Sequence, residues 1–128
     1  MRVLLDTHVF LWWVEGDRAL TKRARTVIAK PENECLLSLV SVWELAIKCR
    51  LGKLKLALPV RRYVTDHLAA NRFQLLGIEL SHVARVETLA QHHRDPFDRL
   101  LVAQAQEEKL AIVTADGAFR RYGVKTVW

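Results

Sequence analysis

Apolar residues follow two rhythms along this chain. Short continuous runs occur at Arg2-Val3-Leu4-Leu5, Glu34-Cys35-Leu36-Leu37-Ser38, Phe73 to Ile78, Ala111-Ile112-Val113-Thr114 and Val124 to Val127, and these predict buried strands. Between them, apolar positions recur every three or four residues. That spacing predicts helices from the Asp6-Thr7 cap through Trp13, from Thr21 to Ile28, from Ser41 to about Leu51, and from Pro59 to about Asn71. Further helices are predicted from Ser81 to His92 and from Asp95-Pro96 to Lys109, with a short helical piece after Asp116-Gly117. Gly52 supplies the stop for the third helix. Strands that are apolar throughout, rather than at alternate positions, belong to a parallel sheet covered on both faces. The class is therefore α/β. With no repeat, low-complexity tract or Gly/Ser linker, one domain is expected over residues 1–128.

Composition narrows this picture only a little. Half the chain is hydrophobic (51%), enough for one core. No run approaches the roughly 18 apolar residues of a membrane span, and Asp6 interrupts the N-terminus before a signal-peptide apolar region develops. A soluble, cytoplasmic protein is expected. Cys35 and Cys49 sit in apolar surroundings without C-x-x-C spacing, so they read as reduced core residues. Charge says more. The net charge is +6, and the stretch from Leu45 to Thr65 contains no acid but carries Lys48, Arg50, Lys53, Lys55, Arg61 and Arg62. Such a segment suits the backbone of a nucleic acid, though a solvated basic face looks the same in sequence.

The acids carry the chemistry. Asp6 and Asp116 follow the C-terminal ends of the first and fourth strands, the edge at which open parallel sheets build their sites. Glu44 and Asp98 are expected in the first turns of their helices, pointing toward the same crevice. An all-oxygen set selects a hard cation, Mg²⁺ or Mn²⁺, able to activate water and neutralise charge on a phosphate. Each acid also has a plainer explanation. Ser41-Val42-Trp43-Glu44 fits a capping box, Glu44 and Lys48 form an i,i+4 pair, Asp95-Pro96-Phe97-Asp98 is good helix-start chemistry, and Asp6 and Asp116 suit a cap and a turn. Asp98 tips the balance toward a site. It opens a helix apolar on most sides, where a carboxylate without a cation is costly, and Asp95 adds a like charge three residues away.

Together these pieces resemble the PIN-domain nucleases, and within them the VapC toxins of type II toxin–antitoxin pairs. The matching segments are Val3-Leu4-Leu5-Asp6-Thr7, Ser41-Val42-Trp43-Glu44-Leu45, Asp95-Pro96-Phe97-Asp98-Arg99-Leu100-Leu101-Val102-Ala103 and Ile112-Val113-Thr114-Ala115-Asp116, in order along nearly the whole chain. The resemblance implies a three-layer α/β/α sandwich with a mostly parallel sheet. It implies Mg²⁺ or Mn²⁺ held by Asp6, Glu44, Asp98 and Asp116, with Thr7, Ser41 and Thr114 as orienting hydroxyls and Asp95 as a supporting acid. It further implies hydrolysis of RNA, tRNA or rRNA in kind, by in-line attack of a metal-activated water. Homodimerisation and a VapB-type antitoxin follow from the same resemblance. The rival reading is a catalytically silent PIN-like module that binds RNA or antitoxin; the complete acid set argues against it.

Other constellations fail. A haloacid-dehalogenase-type phosphatase wants a second Asp where His8 stands, and a receiver domain wants an acid paired with Asp6. There is no P-loop, dinucleotide fingerprint or nucleophile elbow. His92-His93 on a helix would point about 100° apart and so make no metal pair. Trp12 and Trp13 read as core or dimer packing in preference to stacking on a base or partner.

Overall fold

The computed structural model describes residues 1–128. In chain order its elements are β1 (Arg2–Leu5), α1 (Thr7–Glu15), α2 (Lys22–Ala29), β2 (Glu34–Ser38), α3 (Leu39–Arg50), α4 (Val60–Asn71) and β3 (Gln74–Leu76). There follow α5 (Leu80–Arg85), a 3-10 turn at Val86–Thr88, α6 (Pro96–Glu108), β4 (Ala111–Val113), a 3-10 helix at Gly117–Tyr122 and β5 (Thr126–Val127). All four strand pairings are parallel, in the order β3-β2-β1-β4-β5.

The continuous apolar strands make sense once both sheet faces are seen to be covered. Successive side chains of β1 alternate between faces. Val3 and Leu5 enter a core with Val9, Phe10, Ile28 and Tyr63 from α1, α2 and α4. Leu4 enters the other, with Leu101, Val102 and Ala105 of α6 and Phe119. This is the expected α/β/α sandwich. No helix is long and apolar enough to cross a membrane.

Topology then positions the site. A helix linking parallel strands runs back against them, so α1, α3 and α6 all begin at the carboxyl edge of the sheet. The strand order reverses between β1 and β4, and the crevice there is where such sheets bind ligands. Asp6 follows β1, Ser38 ends β2, and Thr114 follows β4, so the chemistry-bearing residues arrive together.

Two expectations need correction. The helix predicted from Ser41 starts at Leu39, because Ser38 is its N-cap and accepts the Val40 amide at 2.9 Å. The Ser41–Glu44 capping box therefore does not form, and Glu44 lies in the second turn, not the first. At the other end, Gly52 at φ +73° sends its amide to Cys49, and Lys53 sends its own to Lys48, a Schellman stop. The helix predicted to His92 ends as a 3-10 turn at Thr88. Two long-range partners replace its hydrogen bonds. The Tyr122 hydroxyl accepts the amides of His92 and His93 at 3.0 and 2.7 Å, and the Arg99 guanidinium donates to the carbonyls of Leu89 and Ala90. Asp95, extended before Pro96, is already committed to capping α6.

Ser38 is fully buried, and its hydroxyl also reaches Gln104. Ser38→Ala thus removes a cap and orphans a buried amide oxygen, and should lower the unfolding free energy by about 1–3 kcal/mol in urea titrations. An unchanged midpoint would place the start of α3 elsewhere.

Candidate active site

Asp6 stands in the N-cap position of α1 but makes no capping hydrogen bond with its side chain. Its carboxylate instead accepts the Thr114 hydroxyl at 2.8 Å, across the β1–β4 junction. Thr114 Oγ1 in turn accepts the Asp116 amide at 3.0 Å, so one hydroxyl ties together the two acids at the strand ends. Burial pushes the Asp6 carboxyl above its ordinary range, against the opposing effects of the Thr114 hydrogen bond and nearby His8.

Glu44 is buried, and both its oxygens are engaged. Oε1 lies 2.9 Å from Thr7 Oγ1, and Oε2 lies 2.7 Å from Lys48 Nζ. Thr7 Oγ1 is also 2.8 Å from Ser41 Oγ. With its one proton directed at the carboxylate, Thr7 accepts from Ser41. The sequence-level i,i+4 pair with Lys48 is therefore real, and it fixes Glu44 in place.

Capping explains Asp116 in part and Asp98 not at all. Asp116 Oδ1 accepts the Ala118 amide and caps the 3-10 helix, while its Oδ2 turns toward the crevice. Asp95 Oδ1 caps α6 through the Phe97 amide. Asp98, in the first turn of α6, has no capping role. Burial first, and then the charges of Asp6, Asp95, Glu44 and Asp116, push its carboxyl up to about 7. All the predicted acids are thus near enough to repel Asp98. The basic group within 4 Å of Asp98 is a histidine ring, His93 Nδ1, at 3.9 Å.

His93 is the residue that sequence reasoning missed. Its ring lies 4.9 Å from that of Phe119 and stacks on Tyr122, while its Nε2 faces Asp116 Oδ2 at 3.6 Å. His92 turns aside and meets Tyr122 edge-on. The exclusion of a histidine pair stands, but not for the helical reason, since both residues lie in the loop before α6. The run Ala90-Gln91-His92-His93-Arg94, with no apolar member after Leu89 but Ala90, was the available signal that the helix had ended.

Of the six basic residues singled out from the sequence, Lys48 is paired with Glu44, and Arg62 pairs with Asp66 at 3.6 Å. Arg50, Lys53, Lys55 and Arg61 are exposed and form no ion pair within 4 Å. Arg23 and Arg120 line a groove together with Thr114 and Asp116 and add positive charge there. Trp12 and Trp13 are half-buried packing residues. Trp12 rests against Trp128, and Trp13 against Phe73, with its indole N–H donated to Asn71. Cys35 and Cys49 are free thiols.

Comparison with known proteins gives a consistent picture. The sequence model of the PIN domain matches residues 3–125. Ribonuclease VapC22 of Mycobacterium tuberculosis is 31% identical over 121 residues, covering 94% of this chain and 91% of that protein. Among solved structures, VapBC2 from Rickettsia felis, bound to a DNA fragment from its promoter, contains a chain of similar fold. It has a TM-score of 0.73 and 16% identity, covering 98% of this chain and 97% of that one. DNA-bound VapBC from Salmonella typhimurium gives 0.69 and 15% identity, covering 98% of this chain and 96% of that one.

The electrostatics of Asp98 can be checked by pH. Its folded pKa of about 7 lies above its unfolded value, so the stability it contributes is complete below the unfolded pKa and is lost as pH rises through about 7. In EDTA, thermal melts should show wild type weakening from about pH 5 to about pH 8. Asp98→Asn should weaken less and be at least as stable as wild type at the higher pH. Asp6, shifted in the same direction, leaves a smaller residual slope. Identical pH responses in the two proteins would remove Asp98 from the cluster.

Proposed function

The chain belongs to the PIN domain family, and on that premise we propose that it is a metal-dependent endoribonuclease acting as the toxin of a VapBC-type pair. The observation that carries the reading is Asp98, a largely buried carboxyl pushed up to about 7 by burial first and then by its acidic neighbours, and not explained by capping. Acids are retained in such an arrangement when a cation relieves them.

A hard divalent cation fits the donors. The residues that would hold Mg²⁺ or Mn²⁺ are Asp6, Glu44, Asp98 and Asp116. When bound, such an ion supplies Lewis acidity, lowering the pKa of water and offsetting negative charge on a phosphate. The chain's own residues prepare for this. Thr114 fixes Asp6, Thr7 and Lys48 fix Glu44, and Ala118 holds one oxygen of Asp116 so that the other faces inward. Asp95, although committed to its cap, adds negative potential next to Asp98 as a supporting acid.

RNA is the substrate class, tRNA or rRNA in kind, favoured by the ribonuclease relative and by the exposed cations Arg50, Lys53, Lys55 and Arg61. A VapB-type antitoxin is the expected partner, since the structural neighbours are VapBC complexes. Exposed apolar side chains at Leu75, Ile78, Leu80 and Val83, along β3 and α5, support self-association as a homodimer.

Asp98→Asn and Asp6→Asn should each lower Mg²⁺- or Mn²⁺-dependent RNA cleavage by about 100-fold or more, equivalent to about 2.7 kcal/mol, and should abolish growth arrest on expression. Wild-type cleavage rates in either purified variant would refute the assignment. Separately, converting Lys53, Lys55 and Arg61 to Glu should weaken RNA binding and flatten its dependence on salt. An unchanged slope of log affinity against log salt would mean that this face is only solvated surface.

A further inference from the structure

One buried polar atom beside the carboxylates has no partner of its own. His93 Nε2 is closed off from solvent and makes no hydrogen bond. It lies 3.6 Å from Asp116 Oδ2, while Nδ1 of the same ring lies 3.9 Å from Asp98 Oδ2. One ligand atom from each of His93, Asp98 and Asp116 lies within 4.8 Å of the others, a set that small side-chain rotations would close around an ion.

The ring is positioned rather than adventitious. The His92 and His93 amides are both held by the Tyr122 hydroxyl, the ring stacks on Tyr122, and Phe119 backs it. Arg99, itself buried, holds the loop's carbonyls from the start of α6. The loop is therefore fixed by the same helix that carries Asp98. An imidazole ring held between two carboxylates with its Nε2 unpaired is costly to bury unless something binds that nitrogen.

From this we infer that His93 is a nitrogen ligand to the divalent ion of the carboxylate site. The inference rests on the reading that the acids bind a cation, and adds to it a donor of a different kind. Imidazole suits transition-metal ions better than magnesium, which prefers oxygen and water. His93 thus biases the site toward Mn²⁺ over Mg²⁺.

The test uses the full-length protein and Mn²⁺ alone, without RNA. Pulsed electron paramagnetic resonance of the Mn²⁺-loaded wild type should show coupling to a ¹⁴N nucleus. His93→Gln should lose that coupling and bind Mn²⁺ about 10-fold or more weakly by calorimetry, with a smaller change for Mg²⁺. His8→Gln and His92→Gln should keep both the coupling and the affinity. If His93→Gln does not fold, the other four histidines changed singly to Gln decide the matter, since loss of the coupling in any one would assign it to another ring and its retention in all four leaves His93. Mn²⁺ binding without ¹⁴N coupling, or equal affinity in wild type and His93→Gln, would overturn the role of His93 while leaving the carboxylate site intact. Failure of the wild type to bind Mn²⁺ at all would overturn the metal site itself.

Discussion

Negative charge gathered in a half-dry crevice has to be held in place against its own repulsion. Five carboxylates lie together, the other four all acting on Asp98, and nothing in their mutual interaction favours the folded state. The arrangement persists because neighbouring groups restrain each acid separately. Thr114 bridges Asp6 to the Asp116 backbone, Thr7 and Lys48 take the two oxygens of Glu44, and amides at the starts of the two following helices hold Asp95 and Asp116. Asp98 alone has no such restraint. The fold's contribution is geometric: parallel strands deliver helix starts and strand ends to one edge, and the reversal between β1 and β4 opens a gap for them.

Capping and site chemistry are not competing explanations in this structure. Asp116 uses one oxygen to cap a helix and presents the other to the crevice. Asp95 caps α6 and still makes the potential at Asp98 more negative. A carboxylate has two oxygens and about four lone-pair directions, so a local structural role leaves room for a chemical one. Weighing the two readings against each other, one acid at a time, undercounts such residues.

Much of this architecture was readable in the sequence, for a specific reason. The strands are continuous apolar runs because both sheet faces are covered, and helix starts such as Thr21, Pro59 and Asp95-Pro96 act through local chemistry alone. What was not readable comes from a rival serine that takes the cap of α3 and from partners distant along the chain. The start of α3 moved by two residues because Ser38, at the end of β2, caps it, a role that Ser41 imitated in sequence. The loop before α6, predicted as helix as far as His92, is not helical because Tyr122, about 30 residues on, and Arg99 take up its backbone groups, and a local pattern reveals neither. His93 was hidden by that error. Lys48 looked like part of a nucleic-acid face, but its first partner is Glu44.

The strand order also sets the sequence of events during synthesis. β1 and Asp6 leave the ribosome early, but β4, which pairs with the second edge of β1, and the Thr114 hydroxyl that orients Asp6 come 108 residues later. At roughly 5–20 residues per second, that interval is about 5–20 s. Throughout it, the central strand is paired on one side at most, and Asp6 lacks both its hydroxyl partner and its neighbour Asp116. A chain interrupted anywhere before Thr114 therefore carries an unfinished crevice. The late-made β4 segment is the one that brings the acids of the two central strands into register.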